Sequence, residues 1–347
     1  MKKQINIVSL IITLLFCISN TSVFAEGNNN EIGGYTIEGI PNQNQIDPSV
    51  GYFYLHENPG SKDELKVKLT NSSNKDKTLE VKVTDANTNI NGIIDYTGQI
   101  KNNKLLKIPL TSIVKVSKKE VIVPKNSSIE TSLIVNMPDE HFDGVIVGGI
   151  VVSEKKEDQK QNNNLSVGNT YSYTIGVVLT NEDKINLKNN ISVELENVGP
   201  ILFDGRKIVQ ADILNPNPYI FSEATVSGKI LYLKNNKIIS TQKRENISIA
   251  PYSSYPFQFD WNKKDLEPGK YLFTGEVKSK GKTWKLEKEF EITESKAKKI
   301  NTESVFKVQV PSWLKLSCLL LSILSIVNVL SLLFRVLKRK KGEEDDE

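Results

Sequence analysis

The chain has 347 residues and a formal net charge of +4, from 45 Lys and Arg against 41 Asp and Glu. Its two cysteines, Cys17 and Cys318, lie in the apolar terminal segments, and there are only two histidines, so the central part has neither a disulfide framework nor a structural zinc site. The excess positive charge also lies near the two ends, which leaves the region between them almost neutral and gives no electrostatic argument for binding nucleic acid.

The amino terminus has the features of a secretory signal peptide. Lys2 and Lys3 precede an apolar run over residues 5–18, and small residues around Ala25 form a cleavage site. This order of basic residues, apolar run and small residues is typical of segments that are removed on export. We therefore predict a cleaved signal peptide over residues 1–25. Because the exported part has no cysteine, large hydrophobic cores must hold it together.

The carboxyl terminus predicts a single membrane-spanning helix. Residues 316–334 carry no charge, and at about 1.5 Å per residue they nearly match a hydrocarbon core of roughly 30 Å. A basic run follows at once, as the positive-inside rule expects. We predict a transmembrane helix over residues 313–337, a cytoplasmic tail over 338–347, and an outer location for everything before the helix. Because no L-P-x-T-G sorting signal precedes the apolar segment, the helix itself should hold the chain in the cell membrane.

Between these segments the sequence indicates an all-β protein. Leu65, Val67 and Leu69 alternate with lysines, and similar alternating segments recur along the chain with turn residues between them. Such a pattern is typical of β-sandwiches. We predict two immunoglobulin-like β-sandwich domains in series, over residues 33–153 and 165–295.

The pattern leaves the boundary between the two sandwiches open. An alternating strand over residues 170–180 could complete the first sandwich, as the hairpin partner of an apolar strand over residues 145–153. Gly148 and Gly149 in that apolar strand indicate a bend or a close backbone approach. Beyond the second sandwich, a Lys-, Ser- and Thr-rich stalk is predicted over residues 296–312.

The sequence contains no convincing catalytic set. His56 and His141 are its only histidines, and no nucleophile-elbow, zinc-protease or phosphate-loop motif is present. Asp139, Glu140 and Asp143 could in principle supply the paired carboxylates of a glycoside hydrolase. Their position in a turn before a buried strand favours a solvated turn instead. We therefore predict a non-enzyme without catalytic, cofactor-binding or metal-binding residues.

Two groups of residues are candidates for ligand binding. Asn87, Asn89 and Asn91 lie in an amide-rich loop, and amides offer the donors and acceptors that suit sugar hydroxyls or peptide backbones. Tyr52 and Tyr54 share one face of a strand and could stack on a sugar ring. Each group has a structural alternative, which is turn chemistry for the asparagines and core packing for the tyrosines.

Several stretches, in their order along the chain, resemble one family. In the first half these are Gly34–Thr36, Gly51–Leu55, Ala86–Tyr96 and Phe142–Ile150. In the second half they are Asn215–Pro218, Ile249–Pro251, Leu266–Tyr271 and Gly281–Trp284 before Phe290. Together they resemble the WxL-interacting proteins of Gram-positive bacteria. The layout of signal peptide, two β-domains, membrane helix and basic tail is similar as well.

The resemblance implies a binding and scaffolding protein on the cell surface. It implies that the first domain binds peptidoglycan, that the second binds host-surface or extracellular-matrix proteins, and that the chain partners a WxL-domain protein on the wall. The triplet Trp284-Lys285-Leu286 is itself W-x-L, but its place in an alternating strand predicts a core aromatic. The alternative is a membrane-anchored receptor that signals through a cytoplasmic partner, because the short tail cannot fold into a domain of its own.

Overall fold

The structure is a computed structural model that describes residues 33–155, 171–183, 185–306 and 311–344. The predicted signal peptide, the tip of the predicted hairpin and the last residues of the predicted tail lie outside the described residues. The described part consists mainly of β-strands arranged in sandwich-like sheets, with an apolar helix near the carboxyl end, which confirms the predicted fold class.

Two compact units make up the described part. The first comprises the described residues up to Thr84, together with Leu110–His141 and Gly148–Leu179. The second comprises Asp85–Pro109, Phe142–Val147 and the described residues from Thr180 onward.

The first unit contains two sheets. Its strands are β1 (Tyr35–Ile40), β2 (Phe53–His56), β3 (Lys62–Asn71), β4 (Lys77–Asp85), β7 (Val114–Val116), β8 (Glu120–Val123), β9 (Ser127–Asn136), β10 (Ile146–Glu154) and β11 (Ser172–Thr180), with the short helix α1 (Leu110–Ile113) before β7. One sheet has the order β1-β3-β9-β7 and the other the order β2-β11-β10-β4-β8. The strand that the sequence left between the two sandwiches therefore lies in the first unit as β11, next to β10.

The alternation of apolar and polar residues along the strands determines which side chains form the core of the first unit. Leu65, Val67 and Leu69 of β3 are fully buried, while the lysines between them are exposed. The antiparallel partner β9 pairs its Leu133 with Leu65 and buries it as well. The sheet that contains β3 and β9 thus covers the core with one face and meets solvent with the other, as period-two sequences require, whereas β10 of the other sheet is buried on both faces.

Gly148 is a close-approach position, as its place in an apolar strand predicted. A Cβ at this residue would lie 2.3 Å from Thr84 O and 2.4 Å from a methyl carbon of Leu110. Only glycine lets β10 pass so close to the backbone of β4, and any larger residue would push the two strands apart.

The second unit also contains two main sheets. Its strands are β5 (Asn87–Thr88), β6 (Ile94–Asp95), β12 (Glu194–Phe203), β13 (Arg206–Leu214), β14 (Phe221–Tyr232), β15 (Lys237–Ile249), β16 (Ser254–Asp260), β17 (Gly269–Ser279) and β18 (Lys282–Ile292). The sheets have the orders β12-β13-β16 and β15-β14-β17-β18, and β5 and β6 form a small pair of their own.

Aromatic side chains dominate the core of the second unit. Tyr255, Phe257 and Phe259 alternate along β16 and are buried against Phe273 and other side chains of the facing sheet. Trp284 of the W-x-L triplet packs edge-on against Phe221, with ring centroids 5.1 Å apart. The tryptophan is thus part of the fold, as its strand context predicted.

The predicted stalk begins inside the folded unit. Residues Glu294–Glu303 form helix α2, which Thr293 caps by accepting a hydrogen bond from Lys296 N. Ala297 and Ile300, three residues apart on one helix face, are buried in the core of the second unit. The expectation of a stalk from residue 296 is corrected at this point, because two apolar side chains among many polar ones are enough to dock a short helix.

The last element is helix α3 (Ser312–Glu344). Its segment Leu316–Phe334 is long and apolar enough to cross a membrane, and it is not buried against the rest of the protein. Ser322 and Ser325 donate their hydroxyl hydrogen bonds to the carbonyls of Cys318 and Leu321, at 2.8 and 2.9 Å. These polar groups are therefore satisfied within the helix, as an apolar surrounding requires.

Candidate functional groove

A groove of about 730 Å³ runs along the outer face of the three-stranded sheet of the second unit. Its floor is formed by outward-facing residues of β12, β13 and β16, and its wall by the segment 87–103, which we call the amide loop. The volume falls within the range of ordinary ligand sites. The floor includes Ile201, Phe203, Gln210, Asp212, Ser254 and Pro256, and the wall includes Asn87, Asn89, Ile90, Gln99, Lys101, Asn102 and Asn103.

Strand alternation produces the floor. Along β13, Val209 and Ala211 point into the core and are fully buried, whereas Gln210 and Asp212 point outward and are half-buried. Because β13 is the central strand of its sheet, its outward residues lie along the middle of the floor. Ile201 and Phe203 of β12 add apolar surface beside them.

Asn103 fastens the amide loop to the floor. Its Nδ2 donates to both carboxylate oxygens of Glu196, at 3.1 and 3.0 Å, and to Ser254 Oγ at 3.2 Å. Ser254 Oγ donates in turn to Glu196 Oε2 at 2.8 Å. Hydrogen bonds to a charged group are stronger than neutral ones, so this cluster fixes one end of the loop.

Backbone contacts fasten the other end of the loop. Ala250 N donates to Thr88 Oγ1 at 3.0 Å, and Ser248 N donates to Gly92 O at 2.8 Å. Gly92 has φ 69°, and a Cβ there would lie 2.3 Å from a methyl carbon of Ile247. Glycine is thus required at residue 92 by both its backbone conformation and the space available. These contacts explain why Asp85–Pro109 belongs to the second unit, although the sequence suggested that it belongs to the first sandwich.

The electrostatics of the floor centre on Asp212. Burial raises the pKa of this carboxyl, the nearby Glu196 raises it further, and a hydrogen bond from Gln210 Nε2 opposes both effects. That bond measures 2.7 Å, and Gln210 Oε1 accepts from Gln258 Nε2 at 2.9 Å. The three side chains form an ordered polar row, in which Gln258 donates to Gln210 and Gln210 donates to Asp212.

The groove combines two kinds of surface, one apolar and one rich in amides. Ile201, Phe203 and Pro256 offer apolar faces on which the C–H face of a sugar ring or an apolar side chain can pack. Gln99, Asn102 and other amides offer donors and acceptors for hydroxyl, acetamido and peptide groups. Among the described residues, no group of three or more His, Cys, Asp or Glu side chains could hold a metal ion.

The asparagines singled out in the sequence have different positions. Asn87 is buried, and its Nδ2 donates to Ile100 O at 3.2 Å and to Asn102 Oδ1 at 2.9 Å. Asn89 accepts hydrogen bonds from the backbone of Asn91 and Ile93, at 2.9 and 3.3 Å. Asn87 and Asn89 line the groove while they shape its wall, whereas Asn91 is exposed at the turn and is not part of the groove lining.

The two tyrosines lie in the first unit and take no part in the groove. Tyr54 is buried in β2, and Tyr52 is half-buried just before that strand. Their rings stack with centroids 6.4 Å apart. Burial and the nearby Asp47 raise the pKa of Tyr52.

Sequence reasoning missed the floor of the groove. Phe203, Gln210 and Asp212 belong to strands whose polar positions look like any solvated strand face. No local pattern distinguishes a strand face covered by a distant loop from one that faces water. The adjacent Asn102 and Asn103 carried the only available signal, since they extend the amide-rich composition of the loop to its second end.

The described part of the chain thus comprises two β-sandwich units, a groove on one of them and an apolar helix long enough to cross a membrane. The chain belongs to the WxL-interacting protein family. Residues 35–154 match the family described as WxL Interacting Protein, peptidoglycan binding domain. Residues 162–302 match the family described as WxL Interacting Protein, host binding domain.

Other comparisons add little. No curated protein shows a significant match to this chain. Among solved structures, the CupB2 chaperone of Pseudomonas aeruginosa is 15% identical over 67% of this chain and 94% of its own, with a TM-score of 0.27. The E. coli chaperone DraB is 16% identical over 75% of this chain and 97% of its own, with a TM-score of 0.29. Scores this low carry no argument about function.

Proposed function

We propose that this chain is a membrane-anchored scaffold of the cell surface that binds peptidoglycan in the groove and partners a WxL-domain protein, without catalysing a reaction. The wall of the groove lies in the region that matches the peptidoglycan binding domain, whereas its floor lies in the region that matches the host binding domain, so the proposed site includes residues of both matched regions. The family matches support a surface protein with peptidoglycan-binding and host-binding regions. The apolar segment Leu316–Phe334 supports an anchor in the cell membrane, with the two units outside and the basic tail inside.

The single observation that carries the assignment of the binding site is the composition of the groove. Its apolar floor can take the faces of alternating N-acetyl sugars, and its amide wall can bond their acetamido groups or the attached peptides. Exposed Lys101 at the wall can pair with a peptide carboxylate. Of the residues predicted from the sequence, Asn87 and Asn89 hold the wall of the groove in shape. Asn91, Tyr52 and Tyr54 lie outside the groove lining and stay predicted ligand-binding residues without a place in this proposal.

Sedimentation with purified wall sacculi tests the proposal. The wild-type chain in detergent should pellet with sacculi and release no soluble fragments, whereas Phe203→Ala and Gln210→Ala should each pellet several-fold less. Gln242→Ala is the matched control, because Gln242 is a half-buried glutamine on the other sheet of the same unit. Equal pelleting of all four proteins would remove the groove as the site, and release of wall fragments would show an enzyme.

The partners need separate experiments. A purified WxL-domain protein should be retained by the immobilised chain, and host matrix proteins should be retained through the region 162–302. Neither interaction has an assigned surface, so loss of binding in a scan of exposed residues would locate each one. If the chain retains no WxL-domain protein, the proposed scaffold role is wrong, whereas the proposal that the chain binds peptidoglycan is unaffected.

A further inference from the structure

The segment that leaves the second unit is latched to the turn between β12 and β13. Ser304 Oγ and Val305 N both donate to Gly205 O, at 2.8 and 3.0 Å. The guanidinium of Arg206 lies 4.8 Å from the ring centroid of Phe306, within the range of a cation–π contact. A Cβ on Gly205 would lie 2.5 Å from Val305 Cγ2, so glycine makes this close contact possible. The folded unit therefore extends to Phe306.

This latch restricts the distance between the second unit and α3. Only residues 307–311 separate Phe306 from the first residue of α3. Even a fully extended chain of this length reaches no more than about 20 Å. If α3 crosses the membrane, the Gly205 end of the unit must lie against or just above the lipid surface.

The same end carries two exposed apolar side chains. Val305 is 70% exposed and Phe306 is 39% exposed, although both follow an ordered helix cap. Exposed Lys263 and Lys264 lie in the neighbouring β16–β17 loop. Fully buried Lys207 fixes that loop, because its Nζ donates to Lys263 O at 3.3 Å and to Asp265 Oδ1 at 2.9 Å. Exposed apolar side chains near lysines suit a lipid interface, and the acidic residue of the same loop, Asp265, is paired with Lys207.

We propose that Val305 and Phe306, together with the β16–β17 loop, dock the second unit onto the outer lipid surface from which α3 emerges. The inference rests on the proposed anchoring by α3. Two apolar side chains would bind a membrane only weakly by themselves, but the five-residue connection holds them at a high effective concentration next to it. The contact keeps the Gly205 end of the second unit at the lipid surface.

Spin labelling of the full-length chain in phosphatidylcholine–phosphatidylglycerol vesicles tests the inference. With Cys17 and Cys318 replaced by Ser, single cysteines are introduced as Val305→Cys, Lys263→Cys, Thr283→Cys and Leu324→Cys. Thr283 is exposed on β18 at the end farthest from α2 and is the control for a water-exposed site. The ratio of each label's accessibility to oxygen and its accessibility to a water-soluble nickel chelate gives the depth of the label in the membrane.

We expect the label at Leu324 to lie deep in the membrane. The labels at Val305 and Lys263 should lie at the interface, with at least two-fold lower nickel accessibility than the label at Thr283. The spectra should show no dipolar broadening between labels. A further Val305→Glu change should return the Lys263 label to the value of Thr283, with the tryptophan emission of the folded protein unchanged. A water-exposed label at Leu324 would remove the anchor itself. A deep Leu324 label with equal values at Val305, Lys263 and Thr283 would overturn only the docking, as would dipolar broadening at Val305, which indicates a second copy.

Discussion

At the scale of single residues, asparagines close together in sequence have different roles. Asn87 is only 4% exposed and satisfies two acceptors inside the amide loop, whereas Asn91 is exposed at a turn. A buried acceptor that loses its donor costs free energy, while a solvated side chain is replaced by water without loss. The same residue type therefore has unequal importance at these two positions.

Replacing Asn87 by Ala should lower the free energy of unfolding by about 1–3 kcal/mol, because Asn102 Oδ1 and Ile100 O lose their donor. Asn91→Ala should change it by less than about 0.5 kcal/mol. Urea unfolding of both variants measures the difference. An equal effect of the two changes would contradict the structural role given to Asn87.

A buried carboxyl in the first unit responds to pH. Glu57 is nearly inaccessible to solvent, and burial, reinforced by neighbouring Asp63, raises its pKa to about 7. Asn44 Nδ2 and Ser61 Oγ donate to its two oxygens, each at 3.1 Å. Asn44 Nδ2 also donates to Asp63 Oδ2 at 3.1 Å, which places the two carboxyls around one amide.

The stability of the first unit should therefore fall as the pH rises. The folded state binds the Glu57 proton more tightly than the unfolded chain, so this contribution is complete below the ordinary pKa of 4.5 and is lost as the pH passes through about 7. Urea midpoints followed by circular dichroism at pH 5 and pH 8 measure the change. Glu57→Gln should flatten the pH dependence, and an unaltered slope in this variant would assign it to another group.

At the scale of elements, α2 is the least expected feature of the fold. Eight of its ten residues are polar or charged, which is why the sequence favours a stalk there. The helix forms because Thr293 caps its first turn and because Ala297 and Ile300 fall on one face that the core of the second unit can cover. Tertiary packing thus decides the state of a segment with weak periodicity.

Ile300→Ala should destabilise the second unit by about 2–5 kcal/mol through the cavity that it leaves in the core. Lys298→Ala, on the exposed face of the same helix, is the control and should change stability by less than about 0.5 kcal/mol. Urea unfolding followed by tryptophan emission reports on this unit, because Trp261 and Trp284 both pack in its core. Similar midpoints for the two variants would mean that α2 is not docked.

At the scale of the whole molecule, the groove and the apolar helix belong to different parts of the chain. The groove is formed entirely by residues before α2, and the apolar segment of α3 follows the latch at Phe306. A chain that ends after Phe306 keeps all the strands of both units, α2 and the latch, and it loses the proposed anchor. The two activities should therefore be separable by truncation.

A chain ending at Phe306 should appear in the soluble fraction and still pellet with wall sacculi as well as the full-length chain does. The full-length chain should resist alkaline carbonate extraction and need detergent for release. Fractionation of cells, with immunodetection in each fraction, measures both. A full-length chain that carbonate releases would show that α3 does not anchor it.

Local patterns in the sequence were sufficient for the clearly alternating strands such as β3 and β11, the all-β class and the apolar segment of α3, because periodicity and composition act over a few neighbouring residues. For Gly148 they left a bend or a close backbone approach open, and the structure shows the close approach. Tertiary structure decided where the amide loop lies, since Thr88, Gly92 and Asn103 find their partners more than ninety residues away. It also converted the outward faces of β12, β13 and β16 into the floor of a groove. A strand face has the same alternating pattern whether water or another part of the chain covers it, so only the folded protein distinguishes the two.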